Sequence, residues 1–228
     1  PKGTALIMVP YGQFAETELE KLRNYVSAGG TLIVLDDYGY GNQILNHLDF
    51  DMKFTGKPLL DPLFNYKNKW LPRIMDFTLM PNMRDTGSIV LNHASCLSNA
   101  SEATVLAWSS RFSFLDLDND STCDPDEPTG PLPIAAYAKK DEGYVVAIAD
   151  PSILINSMTG MDNNLTFIKN VIELQYLNPE ILVDQSHLPK APLDEAKETV
   201  ATIYTLASSP PGMLSLITVI LTLTLSPL

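Results

Sequence analysis

The sequence contains few basic residues, and it lacks the short motifs that identify the commonest enzyme classes. Fifteen lysines and arginines stand against 27 aspartates and glutamates, so the formal net charge is −12 at pH 7. Nucleic-acid binding needs clustered cations that neutralise phosphates, and because no basic face is visible we expect no nucleic-acid partner. The G-x-S-x-G elbow, the GxGxxG fingerprint and the P-loop are also absent, which leaves catalysis without a recognisable signature.

Cysteine is scarce, with only Cys96 and Cys123 present. In an exported protein the two can form one disulfide that closes a long loop, and two free thiols are the alternative. Cys96 follows His93 by three residues, but this spacing alone does not show that the side chains meet, and no catalytic role is expected. Three sequons are glycan acceptors if the chain faces the outside of the cell, and they lie at Asn99, Asn119 and Asn164.

An uncharged apolar run, residues 213–228 (MLSLITVILTLTLSPL), closes the sequence behind the break SSPPG. It is slightly shorter than the roughly 20 apolar residues of a bilayer-spanning helix. We interpret it as a membrane anchor, while a buried strand or core helix is the alternative. The opening PKGTALIMVP has neither an initiator Met nor a signal peptide, which indicates a cut N-terminus. Residues 178–212 are polar and punctuated by proline, and this pattern is typical of a stalk.

Apolar runs predict a parallel α/β unit at the start of the chain. Residues 4–10 (TALIMVP) and 31–36 (TLIVLD) are continuous apolar runs, as in strands that are buried on both faces. Between them, residues 16–28 have the apolar spacing of an amphipathic helix, and the pair Gly29–Gly30 ends it. Strand, helix and strand in this order indicate a mainly parallel sheet.

The rest of the chain supplies further elements of the same domain. Residues 51–96 are rich in Pro, Asn and aromatic residues, and we expect an irregular insertion with short strands. Residues 104–109 predict a strand, and residues 133–152 predict two strands joined at 140–143. An amphipathic helix is expected over residues 163–177.

The most specific local pattern is the run of six carboxylates from Asp116 to Glu127 (DLDNDSTCDPDE). It matches the calcium-loop template, which takes oxygen ligands from positions 1, 3, 5, 7, 9 and 12. The predicted ligands are therefore Asp116, Asp118, Asp120, the Thr122 carbonyl, Asp124 and Glu127. Position 6 of the template is glycine, whereas this sequence has Ser121, and the flanks are not the two helices of an EF-hand. A solvated surface loop without an ion is the alternative.

A second set of polar residues follows the predicted strands. Ligands of open parallel sheets bind at the carboxyl ends of the strands, and this edge, which we call the crest, would gather six side chains. They are Asp36, Asp37, Asn42, Asp150, Ser152 and Asn156. The alternative is that they cap helices and close turns, where Asp and Asn are preferred.

Three segments together resemble the domain-of-unknown-function family 4350 of archaeal and bacterial membrane-associated proteins. They are EKLRNYVSAGGTLIVLDDYGYGNQILNHL, SSRFSFLDLDNDSTCDPDEPTGPLPIAAYA and GYVVAIADPSILINSMTGMDNNLTFIKNVI. The resemblance covers roughly residues 3–177 and implies a fold similar to class I glutamine amidotransferases and flavodoxin-like domains. In that fold a cysteine nucleophile occupies a strand-to-helix elbow. Here the two elbows contain Asp36-Asp37 and Asp150-Pro151, so glutaminase activity is not expected.

The sequence thus predicts a three-layer, flavodoxin-like or amidotransferase-like α/β domain over residues 1–177, a stalk, and a C-terminal anchor in the cell membrane. We expect a non-catalytic domain outside the cell, with Ca²⁺ in the acidic loop and a crest that contacts a protein, peptide or carbohydrate. The alternative is a metal-assisted hydrolase that uses Asp36, Asp37 and Asp150 around a divalent ion.

Overall fold

The computed structural model describes residues 1–80, 83, 85–188, 197, 199–202, 204–205 and 208–209. The chain divides into two compact units, Pro1–Leu188 and Pro189–Leu228. The expected anchor, residues 213–228, lies outside the described residues. Among the helices that are described, none is both long and apolar enough to cross a bilayer.

The first unit alternates strands and helices in the order predicted for an α/β domain. Its strands are β1 Thr4–Met8, β2 Thr31–Leu35, β3 Lys53–Phe54, β4 Leu59–Leu60, β5 Arg73–Ile74, β6 Asp76–Phe77, β7 Ile89–Val90, β8 Leu97–Ser98, β9 Thr104–Trp108, β10 Phe114–Leu115, β11 Pro133–Lys140, β12 Gly143–Ile148 and β13 Glu180–Val183. Its α-helices are α1 Glu16–Ser27, α2 Asn42–His47, α3 Asn156–Thr159 and α4 Asn164–Ile172. The 3₁₀ turns are Ala100–Glu102 and Pro151–Leu154.

A seven-stranded sheet in the order β13-β1-β2-β12-β11-β9-β6 forms the centre of the domain. The pairs β13–β1, β1–β2 and β2–β12 are parallel. The pairs β12–β11, β11–β9 and β9–β6 are antiparallel. Five of the seven strands therefore run in one direction, which confirms the mostly parallel sheet.

Strand β2 shows why continuous apolar runs predict this architecture. All five of its residues are buried. Leu32 and Val34 belong to the hydrophobic core on one face of the sheet, and Ile33 and Leu35 belong to the core on the other. Because successive side chains of a strand point to opposite faces, a strand that is covered on both sides needs apolar residues throughout.

Helices and the insertion complete the layers on the two faces. The core that contains Leu32 also contains Leu19, Leu22 and Val26 of α1 and buried residues of α2. The core that contains Ile33 includes Phe167 of α4 together with apolar residues of the insertion, among them Leu59, Ile74 and Ile89. The sheet is thus the middle of three layers, and the insertion consists of short two-residue strands, as the composition of residues 51–96 predicted.

The first unit extends beyond the boundary predicted at residue 177. Strand β13 pairs with β1 as an edge strand, and the Asp184 N–H donates to the Ile7 carbonyl over 2.9 Å. The ring of His187 stacks on Phe14 with 4.0 Å between the centroids. Residues 178–188 therefore belong to the domain, because their backbone and side chains are held by β1 and by the segment before α1.

Helix α4 is shorter than the predicted helix over residues 163–177. It ends at Ile172, and the Glu173 and Leu174 N–H groups donate to carbonyls of the last turn, over 3.0 and 3.2 Å. The apolar periodicity continues to Leu177, but that side chain is 80% exposed. Periodicity alone therefore placed the end of the helix too far along the chain.

Glycine at position 143 is required by the packing of α1 against the sheet. A Cβ there would lie 2.2 Å from the Val26 carbonyl oxygen and 2.4 Å from the Gly30 carbonyl oxygen. Both neighbours are backbone atoms, so neither can turn aside as a side-chain end would.

We therefore expect Gly143→Ala to lower the free energy of unfolding by about 1–3 kcal/mol, as other overpacking substitutions do. Urea denaturation measures the change. Gly160→Ala is the matched control, because a Cβ at Gly160 meets no atom within 4 Å and the residue has a φ of −86°. Equal stabilities of the two variants would contradict the packing argument.

Candidate functional site

The acidic loop is closed at its base by antiparallel pairing. Strand β10 pairs with β4, and the Leu115 N–H donates to the Pro128 carbonyl over 2.9 Å. The Gly130 N–H donates to the Ser113 carbonyl over 2.8 Å. The stem that precedes and follows residues 116–127 is therefore part of the folded domain, and the loop projects from it.

Three of the predicted calcium ligands converge at the start of this loop. Each of Asp116, Asp118 and Asp120 has a carboxylate oxygen within 4.8 Å of the others. Asp116 is fully buried; its Oδ2 accepts from the Ser121 N–H over 3.1 Å, while its Oδ1 is buried with no hydrogen-bond partner among the described residues. A buried carboxylate oxygen without a partner is costly, and a cation between the three carboxylates would compensate it.

The backbone of the loop turns where the calcium template requires a turn. Ser121 has a φ of +66°, in the left-handed region that the template fills with glycine, and Asn119 has a φ of +65°. The Asp120 N–H donates to Asp118 Oδ1 over 3.1 Å, and the Thr122 N–H donates to Asp120 Oδ1 over 2.7 Å. The serine thus adopts the glycine conformation, and these bonds hold the turn in place.

The carboxylates of the other two predicted acidic ligands, Asp124 and Glu127, are not in the cluster. Both oxygens of Glu127 are used by the loop backbone, because Oε1 accepts from the Leu117 N–H over 2.6 Å and Oε2 accepts from the Asp124 N–H over 3.2 Å. The Thr122 hydroxyl donates to Asp120 over 2.5 Å. Desolvation and the negative charges of the neighbouring carboxylates, Asp120 first, raise the pKa of Asp124.

Two lysines partly balance the charge of the loop. Lys57 Nζ donates to the Leu117 carbonyl over 2.6 Å, and Lys69 Nζ donates to the Ser121 carbonyl. Both bonds are to backbone oxygens. The lysines therefore do not occupy the carboxylates of Asp116, Asp118 and Asp120, each of which has one oxygen bonded within the loop and a second oxygen for a metal ion.

At the crest, the parallel pairing of β2 and β12 brings the strand-end aspartates to one edge of the sheet. Leu35 lies opposite Ile148, so Asp36 and Asp37 follow one strand where Asp150 follows its neighbour. Asp36 is buried, and its carboxylate accepts from the N–H groups of the next turn, Tyr38 at 2.8 Å, Gly39 at 3.1 Å and Gly41 at 2.6 Å. Asp36 therefore closes a turn, which is the alternative that the sequence left open for the crest residues.

Asp150 is also used by the backbone. Its Oδ1 accepts from the Ser152 N–H and its Oδ2 from the Asn92 N–H, each over 2.8 Å. The side chain is fully buried, and burial, with a smaller contribution from the negative charge of Asp37, raises its pKa to about 7. The carboxyl group thus titrates near neutral pH while it holds two segments together.

Asp37 is the crest carboxylate with an unused oxygen. Its Oδ1 is buried and makes no hydrogen bond among the described residues. Burial is the first cause that raises its pKa, to about 6, and the charge of Asp36 adds to it. Of the three crest aspartates, Asp37 is therefore the one with a buried oxygen that no described residue bonds.

The other crest residues separate into structural and exposed groups. Asn42 donates from Nδ2 to the Phe54 carbonyl over 2.9 Å and accepts at Oδ1 from the Phe54 N–H over 2.8 Å. Ser152 provides the N–H that Asp150 accepts, and Asn156 is exposed at the start of α3. The crest is therefore built mainly of caps and turn closures.

Three tyrosines beside the crest were missed in the sequence. Tyr11, Tyr38 and Tyr40 are 45%, 65% and 46% exposed. The ring centroids of Tyr11 and Tyr38 are 6.2 Å apart, and those of Tyr38 and Tyr40 are 6.4 Å apart. Burial first, and then the charge of Asp37, raise the pKa of Tyr11. The tyrosines of DDYGYG, directly after the strand-end aspartates, were the signal available in the sequence.

The predicted disulfide is not formed in this structure. Cys96 is buried and Cys123 is exposed on the acidic loop, and both are free. Burial raises the pKa of Cys96 to about 11, so its thiol stays protonated at neutral pH. The ring of His93 stacks on Trp70 with 5.1 Å between centroids.

The three predicted glycan acceptors differ in exposure. Asn99 and Asn119 are exposed. Asn164 is fully buried, and its amide bonds to the backbone of Val90, accepting at 2.9 Å and donating at 2.8 Å. The prediction for Asn164 is therefore corrected, because the folded domain has no room for a glycan on this side chain.

The raised pKa of Asp150 predicts a pH dependence of stability. Between the ordinary pKa of 3.8 and about 7, the folded state holds a proton that the unfolded state has released. The free energy of unfolding should therefore fall as pH rises through this range. The Asp150→Asn variant has no group that ionises at this position. Between pH 4.5 and 7.5 its free energy of unfolding should therefore fall by at least about 1 kcal/mol less than that of the wild type, the equivalent of one pKa unit.

Urea denaturation at the two pH values measures this difference. Asn accepts one hydrogen bond fewer than a carboxylate, so the comparison is between the pH slopes and not between the absolute stabilities. Asp51→Asn, on an exposed residue, makes the same charge change as a control. Equal slopes for Asp150→Asn and the wild type would contradict the assignment.

Comparisons with known proteins identify similar folds. The mmIFT52 N-terminal domain aligns with a TM-score of 0.58 at 14% identity, over 74% of this chain and 76% of that chain. A β-galactosidase from Bacillus circulans sp. alkalophilus aligns at 16% identity with a TM-score of 0.47, over 77% of this chain and 23% of its own. A putative ThuA-like protein from Bacteroides uniformis ATCC 8492 aligns at 14% identity with a TM-score of 0.42, over 73% of this chain and 68% of its own. The first likeness concerns the fold alone, and the other two carry no argument.

The sequence comparisons identify a family. No curated protein matches the chain. The profile described as "Domain of unknown function (DUF4350)" matches residues 1–172, which is most of the first unit. The chain therefore belongs to the DUF4350 family.

Proposed function

We propose that this protein is a non-catalytic binding domain whose acidic loop holds Ca²⁺. The observation that carries the proposal is Asp116, which lies in a cluster with Asp118 and Asp120. Asp116 is fully buried, and its Oδ1 has no hydrogen-bond partner in the described part of the chain. Carboxylates that cluster on a solvated surface loop need no burial. The burial of Asp116, the first predicted ligand, therefore favours a bound ion over a solvated loop without one.

The chemistry of the donors favours calcium among the common cations. Carboxylate and carbonyl oxygens are hard ligands, and Ca²⁺ accepts six to eight of them in flexible arrangements, whereas Mg²⁺ demands a near-ideal octahedron. Asp116, Asp118 and Asp120 would hold the ion first. The Thr122 carbonyl, Asp124 and Glu127 are the further ligands that the sequence register supplies. For Glu127 to bind the ion, one of its oxygens would have to exchange its backbone hydrogen bond for the metal.

Binding of calcium should be weak and should depend on Asp116. We expect a dissociation constant on the order of 10⁻⁴ to 10⁻³ M, as in extracellular modules. At 10 mM CaCl₂ the free energy of unfolding should then rise by about 1.4–2.7 kcal/mol. Affinity should fall in acid, because the ligands must be ionised.

Isothermal titration of CaCl₂ into protein pretreated with a chelator, together with urea denaturation, tests this expectation. Asp116→Asn should abolish the saturable heat. Asp126→Asn, which removes an exposed carboxylate of the same loop outside the ligand register, should retain it. Absence of saturation in the wild type at millimolar calcium, or an unchanged Asp116→Asn, would reject the site.

The crest is the surface that we propose for a protein or carbohydrate partner. Its support is the group of exposed tyrosines beside Asp37, since aromatic rings provide large contact area at little conformational cost. The cell-membrane setting, outside the cell, rests on the uncharged run 213–228. The flavodoxin-like, amidotransferase-related classification and the archaeal or bacterial setting rest on the sequence resemblance.

A metal-assisted hydrolase is the second candidate, and the neighbouring carboxyls of Asp37 and Asp150 are the observation that favours it. The charge of Asp37 raises the pKa of Asp150, so the two groups interact. Against a catalytic role, both oxygens of Asp150 and those of Asp36 already accept backbone hydrogen bonds. A metal would have to displace bonds that maintain the fold.

We therefore expect no hydrolysis of amide or ester substrates above the uncatalysed rate, with or without Ca²⁺, Mg²⁺ or Zn²⁺. Chromogenic p-nitroanilide and p-nitrophenyl ester substrates provide the assay. The test variant is Asp37→Asn, because no described residue bonds the buried oxygen of this side chain, and Asp126→Asn is the matched control. Metal-dependent turnover that is lost in Asp37→Asn and kept in Asp126→Asn would reject the binding proposal and support the hydrolase.

A further inference from the structure

A cavity of about 370 Å³ lies beside the stem of the acidic loop, and none of its lining residues belongs to the acidic cluster or to the crest. Its walls include the aromatic rings of Phe64 and Trp108 and the side chains of Arg73 and Arg111. The volume falls within the range of small-molecule sites, which combine apolar walls with a few polar groups. Two arginines at one cavity are notable because the chain as a whole has a net charge of −12.

The cavity is held in shape by a buried carboxylate. Asp61 is fully buried; its Oδ1 accepts from the N–H groups of Leu63, at 3.0 Å, and Phe64, at 2.7 Å, and its Oδ2 accepts from the Ser110 hydroxyl at 2.6 Å. One side chain thereby fixes the two segments that face each other across the cavity. A Cβ at Gly130 would lie 1.9 Å from the Ser110 carbonyl oxygen, so the stem is in close backbone contact there.

The two arginines of the cavity differ in their partners. Arg73 Nε lies 3.0 Å from Asp162 Oδ2, yet this buried nitrogen makes no hydrogen bond. Arg111 is exposed and lies over the ring of Phe112 at 4.9 Å, and no carboxylate pairs with it in the described part of the chain. Asp76 also lines the cavity, so its two arginines are matched in number by Asp76 and by Asp162, the partner of Arg73. Arg111 is therefore the guanidinium that is left without an ion pair for an incoming group.

The aromatic walls and the unpaired guanidinium each favour a different part of a ligand. A flat apolar body gains by contact with the rings of Phe64 and Trp108. A guanidinium binds carboxylate or phosphate oxygens through paired N–H donors, and it binds them better than neutral groups. We propose that this cavity binds a small, flat molecule carrying one carboxylate or phosphate group, with Arg111 as the anchor of the anion.

The proposal predicts an order of binding among simple probes. Benzoate or phenyl phosphate should bind at least tenfold more tightly than benzamide, which keeps the ring but is neutral, and than acetate, which keeps the charge but has no ring. Benzylamine, a cation, should not bind. Whichever of the two anions binds more tightly identifies the headgroup.

The fluorescence of Trp108 reports binding directly, and Trp70→Phe removes the other tryptophan from the signal. The titrations are performed with EDTA present, so that their outcome does not depend on calcium in the acidic loop. Arg111→Gln should weaken the binding of the preferred anion at least tenfold. Lys139→Gln makes the same charge change on an exposed residue near the other end of β11, and it should leave binding unchanged.

The outcomes that overturn the proposal are distinct from those that support it. Equal affinity for benzoate, phenyl phosphate and benzamide would show that the anionic group does not contribute to binding. Equal affinity for benzoate and acetate would show that the aromatic walls do not contribute to binding. Equal losses in Arg111→Gln and Lys139→Gln would show a general charge effect, and no saturable quenching up to 10 mM of either anion would reject the site.

Discussion

The parallel pairing of β2 with β12 is the constraint on which the rest of the structure depends. These strands lie at the centre of the sheet, buried on both faces, and an excursion of residues 36–142 separates them in the sequence. Strands β6, β9 and β11 of that excursion extend the same sheet beyond β12. The insertion, the acidic loop and the cavity all belong to this excursion. The strand-end residues Asp37 and Asp150 are near enough to interact electrostatically because the register places Leu35 opposite Ile148.

Carboxylates serve two opposite purposes in this domain. Asp36, Asp61 and Asp150 are buried with their oxygens bonded to the backbone or a hydroxyl, and each holds a turn or joins two segments. Asp116 and Asp37 each keep a buried oxygen that no residue described by the structure bonds. Since an unsatisfied buried oxygen costs free energy, the fold tolerates it only where another gain compensates, and function is one such gain. The distinction separates structural acids from candidate site residues better than their positions in the sequence do.

The sequence predicted the elements whose signal is local. The apolar runs of β1 and β2 and the periodicity of α1 reflect burial in the middle of the domain, whereas the turn between β11 and β12 is marked by the exposed residues Asp141 and Glu142. The calcium register was equally local, and three of its six ligands converge in the structure. Strand β13 escaped prediction because its apolar run is only three residues long, 181–183, and lies in a polar, proline-punctuated stretch, so it shows neither alternation nor a long apolar run.

The cavity could not be predicted, because its walls come from distant parts of the chain. Phe64, Arg73 and Trp108 are brought together by the short strands of the insertion and the edge of the sheet, and no spacing rule connects them. The crest shows the converse error. Its residues were correctly placed at the strand ends, but the sequence could not show that the oxygens of Asp36 and Asp150 are already taken by backbone N–H groups.

The length of the excursion between β2 and β12 also has a consequence for how the chain reaches this structure. Leu32 and Val145 are neighbours in the sheet although most of the domain separates them in sequence. Closing so long a loop costs entropy before any sheet contact offsets it, and domains dominated by such non-local pairings fold slowly. Until β12 arrives, β2 is an apolar strand with one open edge. The time between synthesis and that pairing is when this protein is most exposed to aggregation.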